Sequence, residues 1–178
     1  LRNHPGMEAE LILLDRVVDL LEEGFDLGLR IGHLRDSSLI AMPLGFTRLQ
    51  VCASPALLAS AGTPATLKDL EGAAVVLFSP QGPEWRFEDQ AVRVSPVLST
   101  NQIDVALQAA ISGLGFTRLL GYQVREALPR GLLVSVLDEH APAAVPVQFV
   151  YPHNRLLSAR VRQFLDEVGP ALREILVD

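Results

Sequence analysis

The sequence has little of several features that would place it in a particular class. A single cysteine, Cys52, among 178 residues excludes an internal disulfide and does not suggest an oxidising compartment. The 15 Lys and Arg are outnumbered by 21 Asp and Glu, which gives a net charge of −6 and no basic surface for phosphate backbones. All apolar runs are far shorter than the roughly 20 residues of a membrane span, and Leu1 to Pro5 lacks the pattern of a signal peptide. We therefore expect a cytoplasmic domain that neither enters a membrane nor binds DNA by itself.

Motifs for catalysis and metal binding are also missing. The chain has no G-x-S-x-G nucleophile elbow, no Walker A loop and no G-x-G-x-x-G fingerprint. His4, His33, His140 and His153 are too scattered to indicate a metal set. Cys52 lies in an apolar run, which favours an inert buried thiol over a nucleophile. The sequence therefore predicts no enzyme, no metal site and no cofactor.

The chain does contain alternating strand and helix patterns, and 49% of its residues are hydrophobic, enough for a sizeable core. Strands are predicted over Ala9 to Leu14, Asp26 to Ile31, Leu39 to Leu44, Arg48 to Ala53, Ala73 to Phe78, Val92 to Leu98, Phe116 to Leu120, Leu132 to Leu137 and Val145 to Val150. Helices are predicted over Asp15 to Glu23, from Ser54-Pro55 to Gly62, from about Asn101 to Leu114, and from about Ser158 to Leu176, with Pro170 kinking or dividing the last. This alternation favours α/β layers.

Several segments carry a resemblance to a known family. Val18 to Gly32 reads VDLLEEGFDLGLRIG, and Cys52 to Ala59 reads CASPALLA. Trp85-Arg86-Phe87, Gly113-Leu-Gly115 and Gly131-Leu-Leu-Val134 follow downstream. In wording and in order, these segments resemble the effector-binding domain of LysR-type transcriptional regulators, and the resemblance extends over nearly the whole chain.

The resemblance implies an α/β fold of two Rossmann-like lobes with a hinge, similar to type II periplasmic binding proteins. Lobe I would comprise residues 1–52 and 149–178, with its first strand missing, and lobe II would comprise residues 53–148. A small-molecule effector would bind in the cleft between them. The resemblance also implies a homodimer or higher homo-oligomer, with the helix from Asp15 to Leu21 as a participant, and DNA contact only through an N-terminal domain outside this chain.

Two groups of residues are candidate effector contacts at strand ends. Arg30, Ile31 and Gly32 end a predicted strand, where an open parallel sheet gathers its ligands and where arginine is suited to an anion. Arg30 has the alternative of a surface salt bridge to Asp26 or Asp36. Thr100 and Asn101 start a helix, where free N–H groups and the helix dipole favour a carboxylate; an ordinary cap without a ligand is the alternative for Asn101.

A third group follows the GLG segment, where relatives of the family usually have a small apolar run ending in proline. Here the chain reads Phe116-Thr117-Arg118. Phe116 would fill part of a pocket, Thr117 would donate a hydrogen bond, and Arg118 would either face the cleft or point to solvent. Trp85 would either cover the cleft mouth or pack over the edge of a core.

The resulting hypothesis is an effector-sensing and oligomerisation domain of a LysR-type regulator, with a small and possibly anionic effector. The effector would act by preferring one arrangement of lobes or subunits over another. The alternative is a solute-binding protein of a transporter, which shares the two-lobed fold.

Overall fold

The computed structural model describes residues 4, 6–14, 16–34, 39–88, 90–153 and 157–176. The chain forms two compact units: unit 1 contains Leu1–Phe46 with Pro146–Val177, and unit 2 contains Thr47–Val145. The two boundaries between lobes that the sequence predicts, after residues 52 and 148, lie a few residues later along the chain than the boundaries of these units. Within the described residues, no helix has both the length and the apolar content to cross a membrane.

Unit 1 is built on a three-stranded sheet. Its strands, in spatial order, are β1 (Gly28–Ile31), β10 (Val145–Pro152) and β2 (Leu39–Thr47). β1 runs antiparallel to β10, with Gly28 opposite Val150. The helix α4 (Ala159–Ile175) adds its apolar residues to a core formed by Leu44, Val147, Phe149 and Leu165.

The helix α4 matches the sequence prediction closely. Ser158 is its N-cap, and the Ser158 hydroxyl accepts a hydrogen bond from the Val161 amide at 3.2 Å. Pro170 lies inside the helix without dividing it. Gly169, the residue before it, is buried beside the Met42 side chain, so this turn of the helix is held against the sheet by packing.

Residues 9–23 differ most from the prediction. Residues 9–14 form no strand and are exposed, with Leu11 and Leu13 each 84% accessible. The predicted helix is reduced to a turn near Leu20, in which the Asp19 carboxylate accepts hydrogen bonds from the amides of Leu21 and Glu22. Asp15 lies outside the described residues. β1 pairs antiparallel with β10, and the strand and helix predicted ahead of it are not observed among the described residues. A strand needs a partner for its N–H and C=O groups, and nothing in the described chain pairs with residues 9–14.

Unit 2 contains a sheet made of two parts. In the first part, β3 (Leu49–Ala53) lies between β8 (Thr117–Leu120) and β9 (Val134–Val136), antiparallel to both. In the second part, β4 (Val75–Phe78) pairs parallel with β7 (Pro96–Thr100). A parallel bridge between Val75 and Phe116 joins the two parts. Its hydrogen bonds run from the Phe116 amide to the Ala74 carbonyl and from the Val76 amide to the Phe116 carbonyl, each 2.8 Å long.

The sheet of unit 2 is covered on both faces because successive residues of a strand point to opposite sides. Val75 and Leu77 join one core, which also includes Trp85 and the turn Leu67–Leu70. Val76 and Phe78 join the other, formed with the helices α2 (Ile103–Ile111) and α3 (Gly121–Val124). Buried strands of this kind are continuously apolar, as the sequence VVLF of β4 is.

The helix predicted from Ser54-Pro55 to Gly62 is confirmed. The helix α1 (Pro55–Ala61) has Ser54 as its N-cap and Gly62, at φ 88°, as its C-cap. The segment between the strands predicted over Ala73 to Phe78 and Val92 to Leu98 contains a 3₁₀ turn, Ser79–Gln81, and a strand, β5 (Glu84–Arg86). β5 forms a hairpin with β6 (Ala91–Arg93). The single predicted strand from Val92 to Leu98 is thus two strands, β6 and β7.

Gly115 is required by the close approach of β8 to β4. A Cβ at this position would lie 2.6 Å from the Ala74 carbonyl oxygen, so Gly115→Ala must push the two strands apart. We expect a loss of about 1–3 kcal/mol of unfolding free energy in urea denaturation. Gly72→Ala is the matched control, because a Cβ there meets nothing within 4 Å. Equal stability of the two variants would contradict this account of the junction.

Cys52 is fully buried in β3, and burial raises the pKa of its thiol to about 12, with the charge of Asp138 acting in the same direction. The reactive thiolate is therefore disfavoured. We expect the folded chain to resist alkylation by iodoacetamide at pH 8 and to react readily in urea. Because the folded pKa is raised, unfolding free energy should be lost as pH rises above the ordinary thiol value, and Cys52→Ala should lack that loss. Rapid alkylation of the folded chain at pH 8 would contradict the assignment.

Candidate functional site

The carboxyl edge of the parallel pair β4 and β7 brings the best candidate residues of unit 2 together. Phe78 at the end of β4 lies opposite Thr100 at the end of β7. The chain then turns into Ser79–Gln81 after β4 and into Asn101 after β7. Since ligands of open parallel sheets gather outside the carboxyl ends of the strands, this edge is where Thr100 and Asn101 are most available to a small molecule.

Thr100 and Asn101, both expected to contact the effector at the start of this helix, differ in their hydrogen bonding. The N-cap of α2 is Gln102, whose side chain makes no capping hydrogen bond. The Thr100 hydroxyl accepts the Gln102 amide at 3.0 Å. Asn101 is exposed, and its side chain makes no hydrogen bond to any residue that the structure describes. Asn101 is thus beside the cap and not in it, and its amide is available beside the positive end of α2.

Two further residues lie at the same edge and were not singled out in the sequence. Ser79 directly follows β4, and Tyr122 lies in α3 directly after β8, which runs parallel to β4. The Tyr122 hydroxyl accepts a hydrogen bond from the Gln123 side chain at 3.1 Å, and burial raises its pKa. The signal for Ser79 was present, because it follows the predicted strand from Ala73 to Phe78. Tyr122 follows the predicted strand from Phe116 to Leu120 in the same way.

Arg30, Ile31 and Gly32 lie together in unit 1, at the end of β1. Arg30 stands opposite Gln148 of β10; one of its two predicted salt-bridge partners, Asp36, lies outside the described residues. Gly32 has φ 109°, its amide donates to the Pro146 carbonyl at 2.8 Å, and its carbonyl accepts from the Gln148 side chain at 3.2 Å. Both main-chain groups of Gly32 are therefore engaged. Arg30 and Ile31 line a cavity of about 410 Å³ within unit 1.

Phe116 and Thr117 lie at the opposite end of the sheet from Thr100. Thr117 is the first residue of β8 and Phe116 directly precedes it, and Phe116 is 3% exposed within a core. Thr117 is fully buried, and its hydroxyl has no hydrogen-bond partner within the part of the chain that the structure describes. The structure therefore does not bring these two residues to the edge that holds Thr100 and Asn101.

Arg118 is buried in unit 2 and points into the same core as Trp85. Only 5% of Arg118 is exposed, so the alternative of a solvent-facing side chain does not apply. Burial lowers the pKa of Arg118 to about 10, which leaves the guanidinium charged at neutral pH. Trp85 is fully buried, in agreement with the alternative that placed it over a core.

Carboxylates, histidines and cysteine in the described part of the chain do not converge on a metal site. Among the residues that the structure describes, no three of these side chains are grouped so that they could hold an ion. The arrangement at the carboxyl edge is one of hydroxyl, amide and main-chain N–H groups. Such groups bind and orient a polar ligand.

Comparison with known proteins identifies the family. Residues 1–173 match the family described as the LysR substrate binding domain. The uncharacterized HTH-type transcriptional regulator YhjC of Escherichia coli is 34% identical over 97% of this chain and 60% of its own length. The HTH-type transcriptional repressor PA14_22550 of Pseudomonas aeruginosa is 32% identical over 93% of this chain and 55% of its own length. The chain thus spans less than two thirds of the curated relatives it matches.

Solved structures agree with this relationship. CrgA, a LysR-type transcriptional regulator from Neisseria meningitidis, has a TM-score of 0.75 at 30% identity, over 86% of this chain and 54% of that one. The full-length virulence activator AphB of Vibrio cholerae has a TM-score of 0.82 at 26% identity, over 96% and 60%. This likeness confirms the predicted periplasmic-binding-protein-like α/β fold. The relatives are regulators and not solute-binding proteins of transporters, and this chain belongs to the LysR substrate-binding domain family.

Proposed function

We propose that this chain senses a small anionic effector, and that the carboxyl edge of β4 and β7 supplies the contacts from unit 2. The register that places Phe78 beside Thr100 is the observation that carries the proposal. It brings the turn Ser79–Gln81, the Asn101 side chain and the start of α2 to one edge. An effector there meets polar groups held by two hydrogen-bonded strands.

The chemistry of this edge favours a carboxylate over a cation. The first turn of a helix presents unpaired N–H groups and a partial positive charge. The side chain of the N-cap residue Gln102 makes no capping hydrogen bond, and the Asn101 amide provides a further donor. Arg118 adds a positive charge behind the turn Ser79–Gln81. A small carboxylate therefore fits the donors of unit 2 better than an amine does.

The remaining candidates take different parts in the proposal. Arg30 and Ile31, which line the cavity of unit 1, are proposed as effector contacts within unit 1, with Gly32 as the turn that ends β1. Phe116 and Thr117 are too buried for direct contact, so we propose that they support β8. The proposed role is binding, without a reaction.

The whole regulator would use this domain as a switch. We propose that a segment outside this chain contacts the DNA, because the chain itself carries a net charge of −6. We also propose that the regulator acts in the cytoplasm. An effector changes the regulator only through a difference in affinity between two of its arrangements. Tight binding alone would leave the regulator unchanged.

A thermal-shift screen of this chain with small carboxylates, inorganic phosphate, amines and neutral sugars tests the anionic preference. A ligand at about 100 times its Kd should raise the Tm by roughly 5–10 °C. We expect the stabilising compounds to be anions. Stabilisation by amines or neutral sugars alone would contradict the proposal.

Asn101→Ala tests the edge itself with the stabilising compound from that screen. Because Asn101 is exposed and caps nothing, the unfolding free energy of the variant should stay within about 0.5 kcal/mol of the parent chain. The affinity of the variant for the compound should fall about tenfold, as expected for the loss of a hydrogen bond to a charged group. Gln108→Ala, an exposed amide on the same helix, is the matched control for titration calorimetry. Equal affinities of the two variants would remove Asn101 from the site.

We also propose that unit 1 pairs with a second copy of the chain. Leu11 and Leu13 are 84% exposed and Val17 is 71% exposed, which is a concentration of apolar surface typical of interfaces. Leu20 lies in the segment from Asp15 to Leu21 that the sequence predicted as the interface helix. It is 4% exposed and packs inside unit 1, so the proposed interface is not the face of such a helix.

Light scattering tests this pairing. We expect a dimer mass at high protein concentration, and Val17→Glu should shift the population to monomer because a charge would be buried in the interface. Val97→Glu is the control, since Val97 is 58% exposed in unit 2. A monomeric mass for the parent chain, or dissociation by both variants, would count against the interface.

A further inference from the structure

Arg118 is a buried cation in β8. It is 5% exposed, and no carboxylate within the described residues forms an ion pair with it. An isolated buried charge is costly unless its hydrogen bonds are made. The groups that receive this guanidinium therefore show what its burial accomplishes.

The guanidinium of Arg118 makes two hydrogen bonds to neutral oxygens. Its Nε donates to Gln81 Oε1 at 3.2 Å, and its Nη1 donates to the Arg86 carbonyl at 3.0 Å. Its central carbon lies 5.1 Å from the ring centroid of Trp85 and 5.6 Å from that of Phe87, within the range of cation–π attraction. One side chain of β8 therefore binds two segments more than 30 residues away in the sequence.

One of these two segments belongs to the proposed effector edge. Gln81 closes the turn Ser79–Gln81, which begins directly after β4. Within this turn the Gly82 amide donates to the Ser79 carbonyl at 3.0 Å. Ser79 and Pro80 are exposed, so packing against the core does little to hold this part of the turn. The Arg118–Gln81 hydrogen bond is thus a side-chain restraint from the core on a turn at the edge.

We propose that Arg118 is a positioning residue of the effector site: through Gln81 it holds the turn Ser79–Gln81 in place beside Thr100. This inference rests on the proposed function for its effect on binding. Arginine suits the task because its rigid fork donates in two directions while its face stacks on aromatic rings. Lysine keeps the charge but has neither the fork nor the planar face.

Amide exchange measured by NMR tests the restraint directly, with the Gly82 amide as the reporter of turn closure. Arg118→Lys and Gln81→Met should each speed Gly82 exchange about tenfold, as expected for losing one charge-assisted hydrogen bond. Arg86→Lys is the matched control, because the Arg86 side chain is exposed and pairs with Glu84 at 2.8 Å. If Arg118→Lys fails to fold, the Gly82 exchange rate of Gln81→Met still tests the restraint, because Gln81 is only half-buried. Gly82 exchange within twofold of the parent in Gln81→Met, or equal acceleration in Arg86→Lys, would overturn the inference.

Titration with benzoate, succinate and inorganic phosphate then links the turn to binding. For whichever of these probes binds the parent chain, Gln81→Met and Arg118→Lys should weaken affinity about tenfold and Arg86→Lys should not. Faster Gly82 exchange with unchanged affinity would overturn the link to the effector site. If none of the three probes binds the parent chain, the proposed anionic effector fails. The exchange comparison still decides whether Arg118 holds the turn.

Discussion

The candidate site of unit 2 depends on the junction between β4 and β8. The two main-chain hydrogen bonds that link Ala74, Val76 and Phe116 unite a parallel pair with an antiparallel three-stranded group. Without them the carboxyl ends of β4 and β8 would have no common edge. The contact is possible because Gly115 has no side chain where β8 approaches the Ala74 carbonyl. A missing methyl group thus allows β8, and with it Tyr122, to align with the edge that β4 and β7 form.

The sequence predicted best where structure is determined locally. Ser54 and Ser158 both cap the helices that follow them, because a short hydroxyl satisfies the first free amides whatever the rest of the fold does. It failed over residues 9–23, where apolar residues suggested a strand and a helix. Helices and strands draw most of their stability from partners, and Leu11, Leu13 and Val17 remain mostly exposed. An apolar pattern indicates that a segment can be buried, but it does not identify the element or partner that buries it.

The site was predictable in part for the same reason. Strand ends followed by polar residues indicated Arg30 and Asn101, and the same rule would have found Ser79. The surroundings of Arg118 were beyond this reasoning. Strand alternation places Arg118 on the side of Phe116, but its partners Gln81 and Arg86 are distant in sequence. Only the tertiary fold brings a hairpin and a turn around a guanidinium, so its neutral partners were not deducible from spacing.

The proposed preference for an anionic effector is physically compatible with the net charge of −6. At about 0.1 M salt, exposed charges are screened beyond roughly 10 Å, so the acidic surface as a whole contributes little at the edge. Partly buried groups are screened less, and their field is stronger in a medium of lower dielectric constant. Arg118 is such a group, and the start of α2 adds its unpaired N–H groups nearby. The proposed recognition of a small anion would then be decided by a few oriented donors at this edge and not by the net charge of the domain.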